Sequence, residues 1–77
     1  MDVHIILFGS LAEVAGNTHI RLSACRDTDD LKDKWLKRFP QSKELSFVIA
    51  VNKEIVKKNS LLKKGQEIAF LPPFAGG

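Results

Sequence analysis

Apolar residues in the first part of the chain follow the patterns expected of β-strands. Residues 3–8 are rich in β-branched and aromatic side chains and end at Gly9. Apolar residues on both faces of this segment predict an interior strand. Residues 18–22 alternate between polar and apolar and predict a second strand, paired with the first as a hairpin. Between them, residues 10–16 predict one short helical turn or a structured loop, closed by the turn residues Gly16 and Asn17.

An amphipathic helix is predicted after the second strand. Asp27 or Thr28 is a suitable N-cap. Asp29 and Asp30 follow in the first turn, where negative charge suits the helix dipole. Pro40 lacks a backbone N–H, so the helix should end before it.

The apolar face of this helix is predicted from residue spacing. Leu31, Trp35 and Phe39 are four residues apart and therefore lie on one side of a helix. Leu36 is placed beside them. This face should bury itself against the sheet.

The second half of the chain is again dominated by strand patterns. Residues 47–51 predict an apolar strand, and Asn52 and Lys53 have the chemistry of a turn. Residues 54–56 can form a short return strand. Residues 60–65 are interpreted as a short helical turn closed by Gly65. Residues 67–71 predict the last strand, which two prolines end.

The order of elements indicates the α+β class. We expect a mixed sheet of four to five strands with one main helix packed across it. Residues 1–77 should form a single domain with a flexible C-terminal tail at residues 72–77.

Composition and charge limit the classes of function. The chain has 77 residues, 44% of them apolar, and a formal net charge of +3. Its basic residues are interspersed with acidic ones and lack aromatic partners, so we expect no nucleic-acid binding. The longest apolar runs are too short to span a membrane, and no signal peptide is recognisable. The single cysteine excludes an internal disulfide and favours a cytoplasmic location.

The end of the chain is the strongest candidate for chemistry. Beyond Leu71 no side chain ionises, so the terminal carboxylate of Gly77 is the charged group. Six extended residues reach roughly 20 Å, enough to enter another protein's active site. The glycines Gly76 and Gly77 would let a channel close around bare backbone. A carboxylate must first be activated, most simply as an acyl adenylate, before sulfur or an amine can attack it.

Side chains offer weaker candidates for chemistry. Cys25 is followed by Arg26, whose charge could lower the pKa of the thiol, but a lone cysteine is more often structural. His4 and His19 lack Cys, Asp or Glu partners at metal-ligand spacing, so no metal site is expected. Helix capping accounts for the two aspartates that open the helix.

Three segments resemble one family. Residues 8–16, 49–56 and 61–77 resemble the small subunits of molybdopterin synthase, which belong to the ThiS/MoaD family of ubiquitin-like sulfur carriers. The most specific marker is the proline pair shortly before a terminal Gly-Gly. The resemblance implies a β-grasp, ubiquitin-like fold, in agreement with the predicted order of elements.

The resemblance also implies a role for individual residues. Gly77 would be adenylated and then thiocarboxylated, and Gly76 would form the narrow neck behind it. The other residues implied to contact partners are Pro73, Phe74 and Ala75 in the tail, and Phe8 and Phe70 near the sheet. The sulfur would pass to cyclic pyranopterin monophosphate in molybdenum cofactor biosynthesis.

The implied partners are proteins. They are the large synthase subunit in a heterotetramer, an adenylating enzyme of the ubiquitin-activating type, and a sulfur donor protein. No cofactor would be bound tightly, because the activating enzyme uses the ATP. The chain would then be a sulfur-donating subunit of a sulfurtransferase without a catalytic side chain of its own.

Other functions remain open at this point. A related carrier could serve thiamine synthesis or tRNA thiolation. A ubiquitin-like modifier would join the same carboxylate to lysines, and an inert binding module would not need Gly77.

Overall fold

The computed structural model describes residues 2–73, so Met1 and residues 74–77 lie outside the described part of the chain. It contains five strands, two α-helices and one 3₁₀ helix. In chain order these are β1 (Val3–Leu7), α1 (Ser10–Ala15), β2 (His19–Leu22), α2 (Thr28–Arg38), the 3₁₀ helix (Pro40–Glu44), β3 (Val48–Val51), β4 (Glu54–Val56) and β5 (Ile68–Leu71).

The strands form one mixed sheet in the order β2-β1-β5-β3-β4. The pairing of β1 with β5 is parallel and the other pairings are antiparallel. The predictions of an interior first strand and of a hairpin with β2 are therefore confirmed. The last strand, β5, lies at the centre of the sheet.

The turn between β3 and β4 has the geometry expected of a tight hairpin. Asn52 and Lys53 both have positive φ, 51° and 71°. Two successive left-handed residues are the mark of a type I′ turn, whose twist matches that of paired strands. The predicted turn and short return strand are thus confirmed.

The core lies between α2 and one face of the sheet. Leu31 and Trp35 of the helix are fully buried, as are Ile5 and Phe70 of the sheet. The rings of Trp35 and Phe70 meet edge to face with their centroids 5.3 Å apart, a favourable arrangement of aromatic quadrupoles. Phe47 stacks on Phe70 at 4.6 Å. The predicted helix face is confirmed for Leu31 and Trp35.

The start of α2 is fastened by its cap and by a distant loop. The Asp27 carboxylate accepts a hydrogen bond of 2.9 Å from the backbone N–H of Asp30. Asn59 accepts from the backbone N–H of Asp29, and Thr28 donates its backbone N–H to the carbonyl of Ser60. These contacts tie the helix to a segment about 30 residues away, so the cap also stabilises tertiary structure.

Some predicted local structures were wrong. Leu36 is exposed, because it lies outside the stripe that contains Leu31 and Trp35. Residues 60–65 are not a helical turn, since Leu62 donates its backbone N–H to the Arg26 carbonyl and Leu61 forms an isolated bridge with Asp27. Leu61 and Leu62 therefore pair with the entry to α2, and a turn follows in which the backbone N–H of Gln66 donates to the carbonyl of Lys63 at 3.4 Å.

Two helical segments were predicted only partly or not at all. Residues 10–16, for which the sequence allowed either a helical turn or a loop, form α1 with Gly16 as a left-handed cap. The 3₁₀ helix after Pro40 was not predicted.

Among residues 2–73, no helix combines the length and apolar character that crossing a bilayer requires.

The cap provides the first test. Asp27→Ala should lower the melting temperature by about 4–8 °C, because the N–H of Asp30 loses its acceptor. Its hydrogen bonds hold the pKa of Asp27 below the ordinary value of 3.8. This contribution is therefore present above pH 3.8 and is lost as the pH falls through the lowered pKa. Thermal unfolding monitored by circular dichroism at pH 7 and pH 2.5 measures both effects.

Asp33→Ala is the matched control, because Asp33 is an exposed carboxylate on the same helix. Equal melting temperatures for the two variants at pH 7 would contradict the capping role.

Candidate functional site

The predicted working end of the chain leaves the sheet from its central strand. The strand β5 ends at Leu71, after which Pro72 is half-buried and Pro73 is exposed. Of the predicted tail residues, Phe74, Ala75, Gly76 and Gly77 lie outside the described residues, so their roles stay predictions. The structure therefore shows the position from which the tail departs.

The loop after β1 packs against this exit. Gly9 has φ 60° and ψ −136°, a combination that L-residues rarely adopt. A Cβ atom at this position would lie only 3.3 Å from Cγ of Pro72. The backbone N–H of Phe8 also donates to the carbonyl of Phe70, at 3.3 Å. The absence of a side chain at Gly9 thus allows the start of the tail to lie close to the β1–α1 connection.

One face of the sheet has no helix over it in residues 2–73. Side chains that point away from α2 form a shallow groove of about 370 Å³, which we call the open-face groove. It is lined by Ile6, Phe8, Ala50, Lys53, Ile55, Glu67, Ala69 and Leu71. The large apolar side chains of Phe8 and Ile55 are 47% and 53% exposed. Exposed apolar residues grouped in this way are typical of a surface that binds another protein.

The groove extends to the residue directly before the tail. Leu71 lines the groove and is also the last residue of β5, directly before the two prolines. Lys53 and Glu67 bring one charge of each sign to the lining. A partner that held the tail would therefore meet an apolar surface with charged groups beside it, the usual arrangement of a protein interface.

The two phenylalanines predicted beside the sheet have different positions. Phe8 lies on the open-face groove, which is consistent with its predicted contact with a partner. Phe70 is fully buried between the sheet and α2. Its predicted contact with a partner was wrong for this structure, because alternate residues of a strand face opposite sides and Phe70 faces the helix.

Cys25 is not placed as a reactive thiol. Its side chain is 2% exposed and its Sγ lies 3.6 Å from the carbonyl oxygen of Ser23. Burial raises the pKa of the Cys25 thiol, so the reactive thiolate is disfavoured at neutral pH. The sequence had suggested that Arg26 lowers the pKa of the Cys25 thiol. In the structure Nε of Arg26 lies 3.6 Å from Oδ2 of Asp27.

The paired aspartates at the start of α2 are explained by local structure. The Asp30 carboxylate accepts from the backbone N–H of Arg26 at 2.9 Å and from Lys34 Nζ at 3.2 Å. These donors lower the pKa of Asp30 and keep it ionised, which is the opposite of what a general acid needs. Within residues 2–73, no group of three or more His, Cys, Asp or Glu side chains is arranged to hold a metal ion.

The two histidines, however, are neighbours. His19 Nδ1 lies 3.1 Å from His4 Nε2 on the exposed side of β1 and β2. Sequence spacing did not reveal this contact, because the residues are 15 positions apart. The register of the predicted hairpin would have revealed it, since His19 pairs with Ile6, two residues from His4.

Comparisons with known proteins agree on one family and one fold. The model of the ThiS family matches residues 5–77. The molybdopterin synthase sulfur carrier subunit of Mycobacterium tuberculosis is 28% identical over 82 aligned residues, which cover 100% of this chain and 99% of the relative.

Solved structures extend the likeness. The small archaeal modifier protein SAMP1 of Haloferax volcanii is 25% identical with a TM-score of 0.79, and all of both chains is covered. The complex of subunits 1 and 2 of the molybdopterin-converting factor from Helicobacter pylori contains a chain 26% identical, with a TM-score of 0.63 and 100% of both chains covered. The predicted ubiquitin-like β-grasp fold is confirmed.

The contact of Gly9 with Pro72 gives a test of the tail exit. Gly9→Ala should reduce the free energy of unfolding by about 1–3 kcal/mol, because it adds backbone strain and a close contact with Pro72. Gly16→Ala is the control, because Gly16 has φ 73° but no atom lies within 4 Å of the position that an added Cβ would take. Urea unfolding measures both losses.

A second variant separates strain from contact. Pro72→Ala in the Gly9→Ala background should recover part of the loss, because it removes the atom that the new methyl group meets. Equal losses at Gly9 and Gly16, with no recovery, would show that Pro72 does not constrain Gly9.

Proposed function

Because this chain belongs to the ThiS family, we propose that it is the sulfur-carrier subunit of a molybdopterin synthase. The C-terminal carboxylate of Gly77 would carry the sulfur as a thiocarboxylate. The observation that carries the proposal is the departure of a Gly-Gly tail from the central strand, beside an uncovered apolar groove.

The described side chains support this assignment, because the candidate nucleophile and the candidate general acid among them are not placed for catalysis. Cys25 is buried with a raised pKa, and hydrogen bonds lower the pKa of Asp30 and keep it ionised. A domain of this size buries only a small core and offers little room for an enclosed site. Chemistry at the chain end therefore fits this molecule better than chemistry in a pocket of its own.

The proposed charging reaction has two steps. A carboxylate oxygen of Gly77 attacks the α-phosphate of ATP held by an adenylating enzyme, and pyrophosphate leaves. A sulfide-level nucleophile then attacks the carbonyl carbon of the acyl adenylate and expels AMP, leaving the thiocarboxylate. The first step converts a carboxylate oxygen, which is a poor leaving group, into part of AMP, which is a good one, and the second step expels that AMP; splitting one hard transfer into two easier steps is the logic of covalent catalysis.

Delivery of the sulfur would take place inside the large synthase subunit. The thiocarboxylate sulfur would attack a carbon of cyclic pyranopterin monophosphate and displace an oxygen substituent, so that a carbon–sulfur bond forms as a carbon–oxygen bond of that carbon breaks. Water then attacks the acyl carbon, so the carbon–sulfur bond of the carrier breaks and the Gly77 carboxylate is restored. The carrier acts as a group carrier and the large subunit supplies the site.

The open-face groove is the proposed docking surface. The Helicobacter pylori structure is a complex of subunits 1 and 2 of a molybdopterin-converting factor, and its similarity to this chain supports a large-subunit partner here. The groove adjoins the tail exit, so one partner could cover the groove and receive the tail. The same surface would serve the adenylating enzyme in turn.

A second function is favoured by a specific observation. The similarity to SAMP1, a small archaeal modifier protein, fits a role in which an amine attacks the activated Gly77 and forms an isopeptide bond. Carriers for thiamine synthesis or tRNA thiolation share the same charging chemistry. These functions differ in the acceptor and not in the first activation step.

Mass spectrometry of the intact protein tests the carrier function. Protein made in cells that retain the pathway should show a sulfur-for-oxygen mass increase in its C-terminal peptide. Deletion of Gly77 should abolish the increase and Cys25→Ser should preserve it, because the thiol takes no part. An unmodified terminus after incubation with ATP, sulfide and adenylating enzymes would contradict the proposal, and lysine conjugates would favour the modifier.

Titration of the large synthase subunit tests the docking surface. Ile55→Ser should weaken binding at least about tenfold, since it removes an exposed apolar side chain from the groove. Leu61→Ser is the matched control, because Leu61 is 68% exposed and lies away from the groove. Equal affinities for both variants by calorimetry would show that the partner binds elsewhere.

A further inference from the structure

The paired histidines on β1 and β2 form a site that the sulfur-carrier function does not use. His4 and His19 are the chain's two histidines, and both are exposed. Their ring centroids lie 5.1 Å apart with an angle of 41° between the planes. His19 Nδ1 and His4 Nε2 are the nearest ring nitrogens, at 3.1 Å. A hydrogen bond between two solvated rings contributes little, so water or another ligand can displace it.

We propose that these two nitrogens chelate a divalent transition-metal ion, with Cu²⁺ preferred. Imidazole suits copper, nickel and zinc, and the order of stability for such ligands places Cu²⁺ first. Ca²⁺ and Mg²⁺ are excluded, because they prefer oxygen ligands.

The distance between the nitrogens fits a shared ion. If a metal ion lies about 2.05 Å from each nitrogen and the nitrogens remain 3.1 Å apart, the N–metal–N angle is about 98°. This value lies between the right angle of neighbouring positions in a tetragonal complex and the tetrahedral angle. Binding requires both nitrogens to be unprotonated, so the proton that they share moves to the outer nitrogen of its ring.

The sheet holds the two ligands in place before the ion binds. The antiparallel pairing sets His19 opposite Ile6 and His4 opposite Arg21, so the histidines are diagonal neighbours on one face. In the unfolded chain they are 15 residues apart. Binding should therefore favour the folded state and raise its melting temperature.

The surroundings set the strength and position of the site. Arg21 brings a positive charge opposite His4, and no third His, Cys, Asp or Glu within residues 2–73 completes the coordination. The ion should therefore keep open positions for water or for a ligand from a partner. Because Ile6 lines the open-face groove, the ion would lie at the margin of that groove.

Titration with CuCl₂ tests the site directly. Amide signals of β1 and β2 around His4 and His19 should broaden first in ¹H–¹⁵N spectra, because Cu²⁺ is paramagnetic. His4→Gln and His19→Gln should each weaken binding at least about tenfold, since each leaves one imidazole. Arg21→Gln is the control, because it changes the charge beside the pair while both imidazoles remain.

The outcomes separate the site from other ways of binding copper. Loss of binding in both histidine variants, with binding retained in Arg21→Gln, supports the pair. Binding that survives His19→Gln would show that the ion does not need the pair and would overturn the proposal, as would no binding by the unaltered protein. Electron paramagnetic resonance of the unaltered protein gives a second measurement, in which coupling to two imidazole nitrogens supports the chelate and coupling to one or none overturns it.

Discussion

The packing of Trp35 on Phe70 determines which face of the sheet α2 covers and which face stays exposed. Trp35 is on the buried face of α2 and Phe70 is on the central strand β5, and the centroids of their rings lie 5.3 Å apart. The indole N–H of Trp35 has no hydrogen-bond acceptor among residues 2–73, so apolar packing alone accounts for its burial. This contact holds the one long helix across one face of the sheet.

Covering one face leaves the other uncovered, and both features of the candidate site follow from that. Five strands are wide, and a single helix of 11 residues cannot cover both of their faces. The same strand that carries Phe70 into the core carries Ala69 and Leu71 onto the open-face groove, because neighbouring residues face opposite sides. The strand that anchors the core thus also positions the open-face groove, which is the proposed docking surface, and the start of the tail.

Sequence patterns predicted the parts of the fold that depend on periodicity and local chemistry. Leu31 and Trp35 identified the buried helix stripe, and Asn52 and Lys53 identified a hairpin turn. The segment around Leu61 was misread because its bonds go to Arg26 and Thr28, more than 30 residues away, and no local pattern reports such contacts. Leu36 shows the other limit, since an apolar residue can remain on the surface of a small domain.

Prediction of the candidate site was limited in the same way. The Gly-Gly end stands out in the sequence because no ionisable side chain follows Leu71, whereas its surroundings depend on tertiary structure. Phe8 and Phe70 look alike in sequence, yet one lines the groove and the other is in the core. The contact of Gly9 with Pro72 and the pairing of the histidines both depend on which strands are neighbours, so they required the topology.

The fold also explains why a sulfur carrier and a protein modifier can resemble one another so closely. Both functions begin with the same activated carboxylate, and they diverge only when sulfur or an amine attacks it. Among residues 2–73, the cysteine Cys25 is buried with a raised pKa, so its thiol is not placed to act as that nucleophile or to select it. In the proposed function, specificity then comes from the partner that covers the open-face groove and receives the tail. The exposed residues of the groove, and not the core, are therefore where a carrier and a modifier built on this fold should differ.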